Sequence, residues 1–148
     1  MNTITKSPQE TQEIANKLSK KIKKGGMICL FGNLGTGKTI FTKGLAQGLG
    51  IEKLAIKSPT YTYIRHHKIH GQNIYHIDLY RLEQIDELLA LELEEIMQNK
   101  NNIIIVEWAD RMENILPKKR IDVEILYIDE NSREIKITEH GEPTIFWP

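Results

Sequence analysis

The eight residues from Gly32 to Thr39 have the types and the spacing of a loop that binds phosphate groups. Their sequence, GNLGTGKT, matches the pattern G-x-x-x-x-G-K-[ST] at every fixed position. Glycines allow backbone angles and close approaches that a β-carbon prevents, so successive N–H groups can converge on phosphate oxygens. Lys38 has the reach to contact the β- and γ-phosphates, and the Thr39 hydroxyl is suited to ligate Mg²⁺. The segment therefore predicts a nucleoside triphosphate site, with a plain glycine turn as the disfavoured alternative.

The residues on either side of this loop predict the strand and the helix that such a loop requires. The apolar run 27–31 (MICLF) is typical of a strand covered on both faces in a parallel sheet. After the loop, apolar residues recur at helical spacing from Ile40 to Leu49, and Gly50 marks the end of the helix. This order places the phosphates at a helix N-terminus, which favours anions.

A carboxylate at the end of a neighbouring strand is also needed, to orient Mg²⁺ directly or through water. Glu107 follows the apolar run 103–106 and is the preferred metal-side acid, because ligands collect at the carboxyl ends of strands in open α/β sheets. Asp78 follows the β-forming run 73–77 and is predicted to orient the attacking water or to sense the γ-phosphate. The two roles can be exchanged, and a solvated charge at a strand end is the plain alternative for each.

Several other residues have both a functional and a plain interpretation. Thr60, in the segment SPT, either faces the γ-phosphate and Mg²⁺ as a switch residue does or belongs to a rigid turn. Arg81 either stabilises the transferring phosphate or pairs with Asp78 at the surface. Trp108 either lies near the site or fills the core. A zinc site is disfavoured, because no cysteine and no helical H-x-x-x-H pair accompanies the histidines at 66, 67, 70 and 76.

The rest of the chain predicts a single α/β domain over residues 1–148. Ser7-Pro8-Gln9-Glu10 has the N-cap, the first-turn proline and the capping-box glutamate of a helix that runs to Gly25-Gly26. The other predicted elements are a hairpin of 60–69 and 73–79 around 70–72, an acidic helix over 84–97, and strands over 120–128 and 133–138.

Composition limits the class of protein. A hydrophobic fraction of 40% and a charged fraction of 27% are ordinary for a globular domain, and a net charge of zero gives no bulk attraction to nucleic acid or to an anionic membrane. The single cysteine, Cys29, excludes an intramolecular disulfide and favours a reducing setting. Because the chain has neither the pattern of a signal peptide nor a long apolar run, the sequence predicts a cytoplasmic protein.

Missing motifs narrow the class of phosphate-loop protein further. The sequence has neither the N-K-x-D guanine reader of Ras-like GTPases nor an LSGGQ-type signature, and it is too short for a helicase core. A small-molecule kinase stays open but is disfavoured, because the helix 84–97 lacks the arginine of a kinase lid. A nucleotide-dependent scaffold, in which ATP orders residues 58–81 for docking without being cleaved, also stays open.

Four sequence blocks in order resemble the TsaE family (formerly YjeE), the bacterial ATPases of tRNA threonylcarbamoyladenosine synthesis. The blocks are GNLGTGKT, SPTYTY, YHIDLYRL and VEWADR, with an LP downstream, and the resemblance runs from residue 7 to about residue 138. It implies a three-layer α/β sandwich whose central sheet mixes parallel and antiparallel strands. It also implies weak ATP hydrolysis, which resets the complex of the proteins TsaD and TsaB as these place a threonylcarbamoyl group on adenosine 37 of tRNA. Contact with tRNA would be indirect, through that complex.

The resemblance also implies roles for individual residues. Residues 58–60 match the family's switch I segment, and 76–81 match its H-x-D-x-Y-R switch II block. Glu107 and Trp108 match its Walker B-like pair, followed here by Ala109 where proline is frequent. Thr11, in the N-terminal block with Ser7 and Glu10, and Arg133 match positions near the nucleotide base. The tail 141–148 lies outside the resemblance, and its apolar residues 145–147 are predicted to cover the core or to dock on a partner.

The predicted site thus has three overlapping sets of residues. Lys38, Asp78 and Glu107 are the catalytic set, and Thr39 and Glu107 are the Mg²⁺ ligands. The residues predicted to bind ATP are Thr11, Asn33, Leu34, Gly35, Thr36, Gly37, Lys38, Thr39, Ile40, Thr60 and Arg133.

Overall fold

In a computed structural model, residues 1–33, 35–52 and 63–141 are described, and they form a seven-stranded mixed sheet with helices on both faces. The expected three-layer α/β sandwich is confirmed. Predictions that concern Leu34, Thr60 with its switch segment, and the apolar tail lie outside the described residues.

The strands and helices follow the order that the sequence predicts, with one addition at the N-terminus. A 3-10 helix follows α1 at Lys20–Ile22, and another follows β5 at Ala109–Met112. Within the described ranges, no helix combines the length and the apolar character needed to cross a membrane. The elements are β1 Asn2–Thr5, α1 Pro8–Ser19, β2 Gly26–Phe31, α2 Lys38–Gly48, β3 Ile64–Ile69, β4 Gln72–Asp78, α3 Glu87–Gln98, β5 Ile103–Glu107, β6 Arg120–Tyr127 and β7 Arg133–His140.

The middle of the sheet is parallel and its edges are antiparallel. In the strand order β1-β7-β6-β2-β5-β4-β3, the pairs β6–β2, β2–β5 and β5–β4 are parallel, and the outer pairs are antiparallel. Because parallel strands end at the same edge, Leu30, Asp78 and Glu107 lie side by side at the carboxyl ends of β2, β4 and β5. This edge is where the phosphate loop begins.

Two hydrophobic cores explain why the central strands are continuously apolar. On β2, Ile28 and Leu30 pack on the side of α1 and α2, whereas Met27 and Cys29 pack on the side of α3. Successive residues of a strand point to opposite faces, so a strand covered on both sides needs apolar residues at every position. The prediction of a central strand over 27–31 is confirmed.

Side-chain caps decide where α1 and α3 begin. The hydroxyl of Ser7 accepts the N–H of Glu10 at 3.1 Å, as the sequence predicts for α1. The carboxylate of Asp86 accepts the N–H of Leu89 at 2.8 Å and caps α3. The predicted start of α3 at position 84 is therefore too early, because apolar periodicity extends beyond the capped end of the helix.

Close packing against α1 holds α2 in position. A β-carbon on Gly44 would lie 2.5 Å from the carbonyl oxygen of Gln12, and one on Gly48 would overlap the hydroxyl of Ser19. The two helices therefore approach each other nearly backbone to backbone along this line. Since α2 begins at the phosphate loop, this contact also sets the position of the loop relative to the sheet.

The predicted hairpin of β3 and β4 is confirmed, with a two-residue turn. His70 and Gly71 have φ angles of 51° and 77°, the left-handed values that tight hairpin turns require at both central positions. Gln72, which the sequence placed in the turn, is the first residue of β4.

Candidate phosphate-loop site

The loop between β2 and α2 has glycine where the backbone or the packing requires it. A β-carbon on Gly32 would lie 2.7 Å from both the carbonyl oxygen of Ile125 and the hydroxyl of Thr36. Gly35 and Gly37 have φ angles of 80° and 108°, and a β-carbon on either would meet open space. The loop is thus closed on its β6 side at Gly32 and open at Gly35 and Gly37.

Lys38 lies between the loop and the acidic ends of β4 and β5. Its Nζ donates to the carbonyl oxygens of Gly32 at 2.5 Å and Asn33 at 2.8 Å, and it lies 4.0 Å from the ring centroid of Trp108. Burial lowers the pKa of Lys38, and the nearby carboxylates, Glu107 first among them, act in the opposite direction. The amine is therefore held at the centre of the site by carbonyl acceptors, an aromatic ring and negative charges on several elements.

Glu107 is buried and both of its carboxylate oxygens have partners. Oε1 accepts the Thr39 hydroxyl at 3.4 Å, and Oε2 lies 2.6 Å from Nε2 of His76. Glu107 and His76 are 2% and 1% exposed. The sequence predicts no partner for His76. One feature of the sequence could have indicated that His76 lies at the site. Side chains alternate between the two faces of a strand, so His76 lies on the same face of β4 as Asp78.

Asp78 lies beside Glu107 in the strand register, because β4 and β5 are parallel neighbours. Its Oδ1 accepts the N–H of Tyr80 at 3.0 Å. Burial raises the pKa of Asp78, and the charge of Glu107 adds to that rise, whereas the Tyr80 N–H lowers it. Arg81 is exposed, and in the part of the chain that the structure describes no ion pair joins it to Asp78.

Trp108 lies at the site and also against the core on the α3 side. Besides Lys38, its ring contacts that of Tyr80, with centroids 5.1 Å apart, and the guanidinium of Arg111 at 5.6 Å. Its φ of 60° is unusual for a bulky residue, and such angles persist where surrounding contacts require them. Both interpretations of Trp108 therefore describe part of its environment.

Arg133 fastens the phosphate loop to the turn between β6 and β7. Its Nε donates to the carbonyl oxygen of Thr36 at 2.8 Å, and its Nη1 donates to those of Asp129 at 2.6 Å and Ser132 at 2.9 Å. This contact with the loop is not predicted from the sequence, and the contact of Arg133 with the base stays a prediction.

Thr11 is buried away from solvent and joins α1 to β1. Its hydroxyl lies 2.8 Å from that of Thr5, and the residue is 3% exposed. The predicted contact of Thr11 with the nucleotide base is not tested by this arrangement. Ile40 lies in the first turn of α2, and its predicted contact with ATP stays a prediction.

The donor set fits Mg²⁺ bound together with a nucleotide. Among the described residues, no group of three or more His, Cys, Asp or Glu side chains is arranged to hold a metal. Mg²⁺ ordinarily takes one or two protein oxygens, with water and phosphate oxygens completing its shell. The hydroxyl of Thr39 and the carboxylate of Glu107 supply two such oxygens beside the loop.

Comparison with known proteins identifies the family. The family model described as "Threonylcarbamoyl adenosine biosynthesis protein TsaE" matches residues 5–135. The chain belongs to the TsaE family. TsaE of Bacillus subtilis is 39% identical over 137 residues, which cover 93% of this chain and 84% of that protein. TsaE of Haemophilus influenzae is 40% identical over 111 residues, which cover 75% and 68%.

A solved structure agrees with this assignment. The crystal structure of Bacillus subtilis YdiB superposes with a TM-score of 0.73 at 33% identity, covering 95% of this chain and 86% of that one. The resemblance to the TsaE family, based on the four sequence blocks, is therefore confirmed. As a TsaE-family member with an intact phosphate loop, the chain is a nucleotide-binding protein.

Proposed function

We propose that this chain is a Mg²⁺-dependent ATPase of tRNA threonylcarbamoyladenosine synthesis, acting in the cytoplasm with TsaB and TsaD. In this role it supports repeated turnover of their threonylcarbamoyl transferase complex. The observation that carries the proposal is the Thr39 hydroxyl 3.4 Å from the buried Glu107 carboxylate, at the mouth of the phosphate loop. The pathway comes from the relatives, which are named tRNA threonylcarbamoyladenosine biosynthesis proteins.

Binding of ATP would use the loop backbone and Lys38. The first N–H groups of a helix have no acceptor within the helix, so the start of α2 can donate to phosphate oxygens. Lys38 would exchange the carbonyl oxygens of Gly32 and Asn33 for phosphate oxygens. Thr39 and Glu107 would hold Mg²⁺, which supplies charge neutralisation at the phosphates.

Hydrolysis would depend on Asp78 and on groups that a partner completes. Asp78 is half-buried beside Glu107, where its carboxylate can orient the attacking water. The exposure of Arg81 supports a low rate for the chain alone, because a group that is not held in place cannot be preorganised for the transition state. Docking of TsaB and TsaD would then raise the rate.

Calorimetry and reconstitution test the proposal. We expect saturable binding of ATP with Mg²⁺, lost in Lys38→Met and kept in the exposed control Lys17→Met. With TsaB, TsaD, the threonylcarbamoyl donor and tRNA, we expect the chain to convert a single round of tRNA modification into many. A chain that ignores ATP in the calorimeter contradicts the proposal.

The reconstitution assay also distinguishes the proposed ATPase from the two alternatives, a small-molecule kinase and a nucleotide-dependent scaffold. A kinase would form ADP together with one phosphorylated small molecule, whereas an ATPase releases phosphate. In a nucleotide-dependent scaffold, a Glu107→Gln variant that binds ATP without cleaving it would still support repeated rounds of modification. We expect that variant to fail after the first round.

A further inference from the structure

The outward face of α3 carries two leucines that the fold leaves uncovered. Leu88 and Leu91 are 80% and 63% exposed, whereas Leu93 and Ile96 of the same helix are buried against the sheet. Residues three apart are neighbours on a helix surface, so the two leucines form one apolar patch rather than two isolated side chains. In the described part of the chain, neither hydrophobic core includes the two leucines of that patch.

Carboxylates surround the patch. Glu87, Glu92, Glu94 and Glu95 are exposed, and α3 contains no lysine, arginine or histidine. Since the whole chain has a net charge of zero, this acidic face is a local concentration of negative charge. It repels the phosphates of RNA and of anionic lipids, and it also repels an identical face on a second copy. The occupant that it attracts is a surface with lysine and arginine.

We propose that this acidic, leucine-bearing face of α3, the α3 surface, is a docking site for a partner protein. The surface consists of Leu88 and Leu91 with the four glutamates around them. The matching surface on the partner is an apolar groove rimmed by lysine or arginine, because leucines spaced along one helix face are the anchors that such grooves accept. The glutamates set the orientation of the partner and the rate of its encounter with the helix.

The position of α3 links this surface to the nucleotide site. The segment that joins Asp78 to α3 is held by Arg111, whose Nε donates to the carbonyl oxygen of Leu82 at 2.8 Å. The guanidinium of Arg111 also lies against Trp108, whose ring contacts Lys38. The α3 surface follows in the chain directly after this segment, so a partner that binds there can act on the site through the contacts of Arg111.

The test uses the purified TsaB–TsaD complex as the probe, and in that choice the inference rests on the proposed function. We expect the double variant Leu88→Ser/Leu91→Ser to bind the complex at least about tenfold more weakly than the unmodified chain, measured by calorimetry. Its ATP binding and its ATPase rate without partners stay unchanged. The matched control is Ile4→Ser on the β1 edge, 56% exposed, which keeps full affinity for the complex.

A charge variant tests the proposed role of the glutamates in orienting and attracting the partner. Replacing Glu87, Glu92 and Glu95 by glutamine is expected to slow association with the complex and to reduce its dependence on salt. Glu13→Gln, an exposed change on α1, is the control and keeps both properties.

Three results overturn the inference. In the first, the double leucine variant binds the complex as the unmodified chain does, which leaves the proposed function intact. In the second, the double leucine substitution abolishes binding of the chain to tRNA or makes a homodimer of the chain dissociate. Either result assigns the α3 surface to another occupant. In the third, the unmodified chain does not bind the complex, which removes the partner named in the proposed function as well.

Discussion

Nε2 of His76 lies 2.6 Å from Oε2 of Glu107, with both side chains almost wholly buried. The other carboxylate oxygen accepts the hydroxyl of Thr39. Because β4 and α2 each hold one oxygen, the orientation of the Glu107 carboxylate is set by elements other than its own strand. His76 is thus a positioning residue for Glu107.

Loss of His76 should reduce catalysis more than nucleotide binding. In His76→Leu, the Glu107 carboxylate loses one of its two partners, and we expect ATP turnover to fall by about 10- to 100-fold with a higher Mg²⁺ requirement. His76→Gln, whose amide can donate to the same oxygen, should recover part of the rate. ATPase rates across a Mg²⁺ series measure both effects. An equal loss in His66→Gln, an exposed histidine of the hairpin, would contradict the assignment.

Asp78→Asn should stabilise the fold while it impairs the reaction. Burial raises the pKa of Asp78 above its ordinary value of 3.8, so the folded protein holds this proton more tightly than the unfolded chain does. Its contribution to stability is therefore present below pH 3.8 and is lost as the pH rises through the higher folded value. The asparagine side chain carries no charge, so the variant does not lose this stability as the pH rises. The free energy of unfolding at pH 7 should therefore be higher in Asp78→Asn.

The same substitution should lower ATP turnover by about a hundredfold, because an amide is a poor base for orienting water. Urea unfolding at acidic and neutral pH, together with ATPase assays, measures the two effects, and the exposed Glu83→Gln is the control. Unchanged turnover in Asp78→Asn would remove Asp78 from its proposed role.

Arg133→Lys should weaken ATP binding by loosening the loop. A lysine has one ammonium group, which cannot reach the Thr36 and Asp129 carbonyl oxygens at once as the arginine fork does. We expect the dissociation constant of ATP to rise by about tenfold, corresponding to about 1.4 kcal/mol. Calorimetry measures it. Arg120→Lys, where Arg120 pairs with Asp122, is the control, and an equal effect there would argue against a specific clamp.

Gly44→Ala should destabilise the fold although alanine favours helices. Its methyl group would lie 2.5 Å from the Gln12 carbonyl oxygen, so α1 and α2 must move apart. We expect the free energy of unfolding to fall by about 1–3 kcal/mol, measured in urea. Gln47→Ala, at an exposed position of the same helix, should change it by less than about 0.5 kcal/mol. A stabilised Gly44→Ala variant would show that the helices do not need this close contact.

Much of this protein could be predicted from its sequence, because the signals are local. The glycine spacing of 32–39, the apolar run of β2 and the N-cap Ser7 each depend on residues close together in the chain. Two differences between the predicted and the observed elements have other causes. The N-cap at Asp86 makes α3 begin later in the chain than the apolar periodicity predicts. The four residues of β1 carry no distinctive pattern and become a strand only by pairing with β7.

Only the tertiary structure decided which distant residues meet. The strand order, with β5 between β2 and β4, brings His76 and Asp78 beside Glu107, and no local window of sequence encodes that order. The contact of Arg133 with the Thr36 carbonyl oxygen likewise spans 97 positions. Strand pairing is chosen by the burial of whole faces against helices, so the partners of Glu107 and of the loop follow from packing rather than from neighbouring residues.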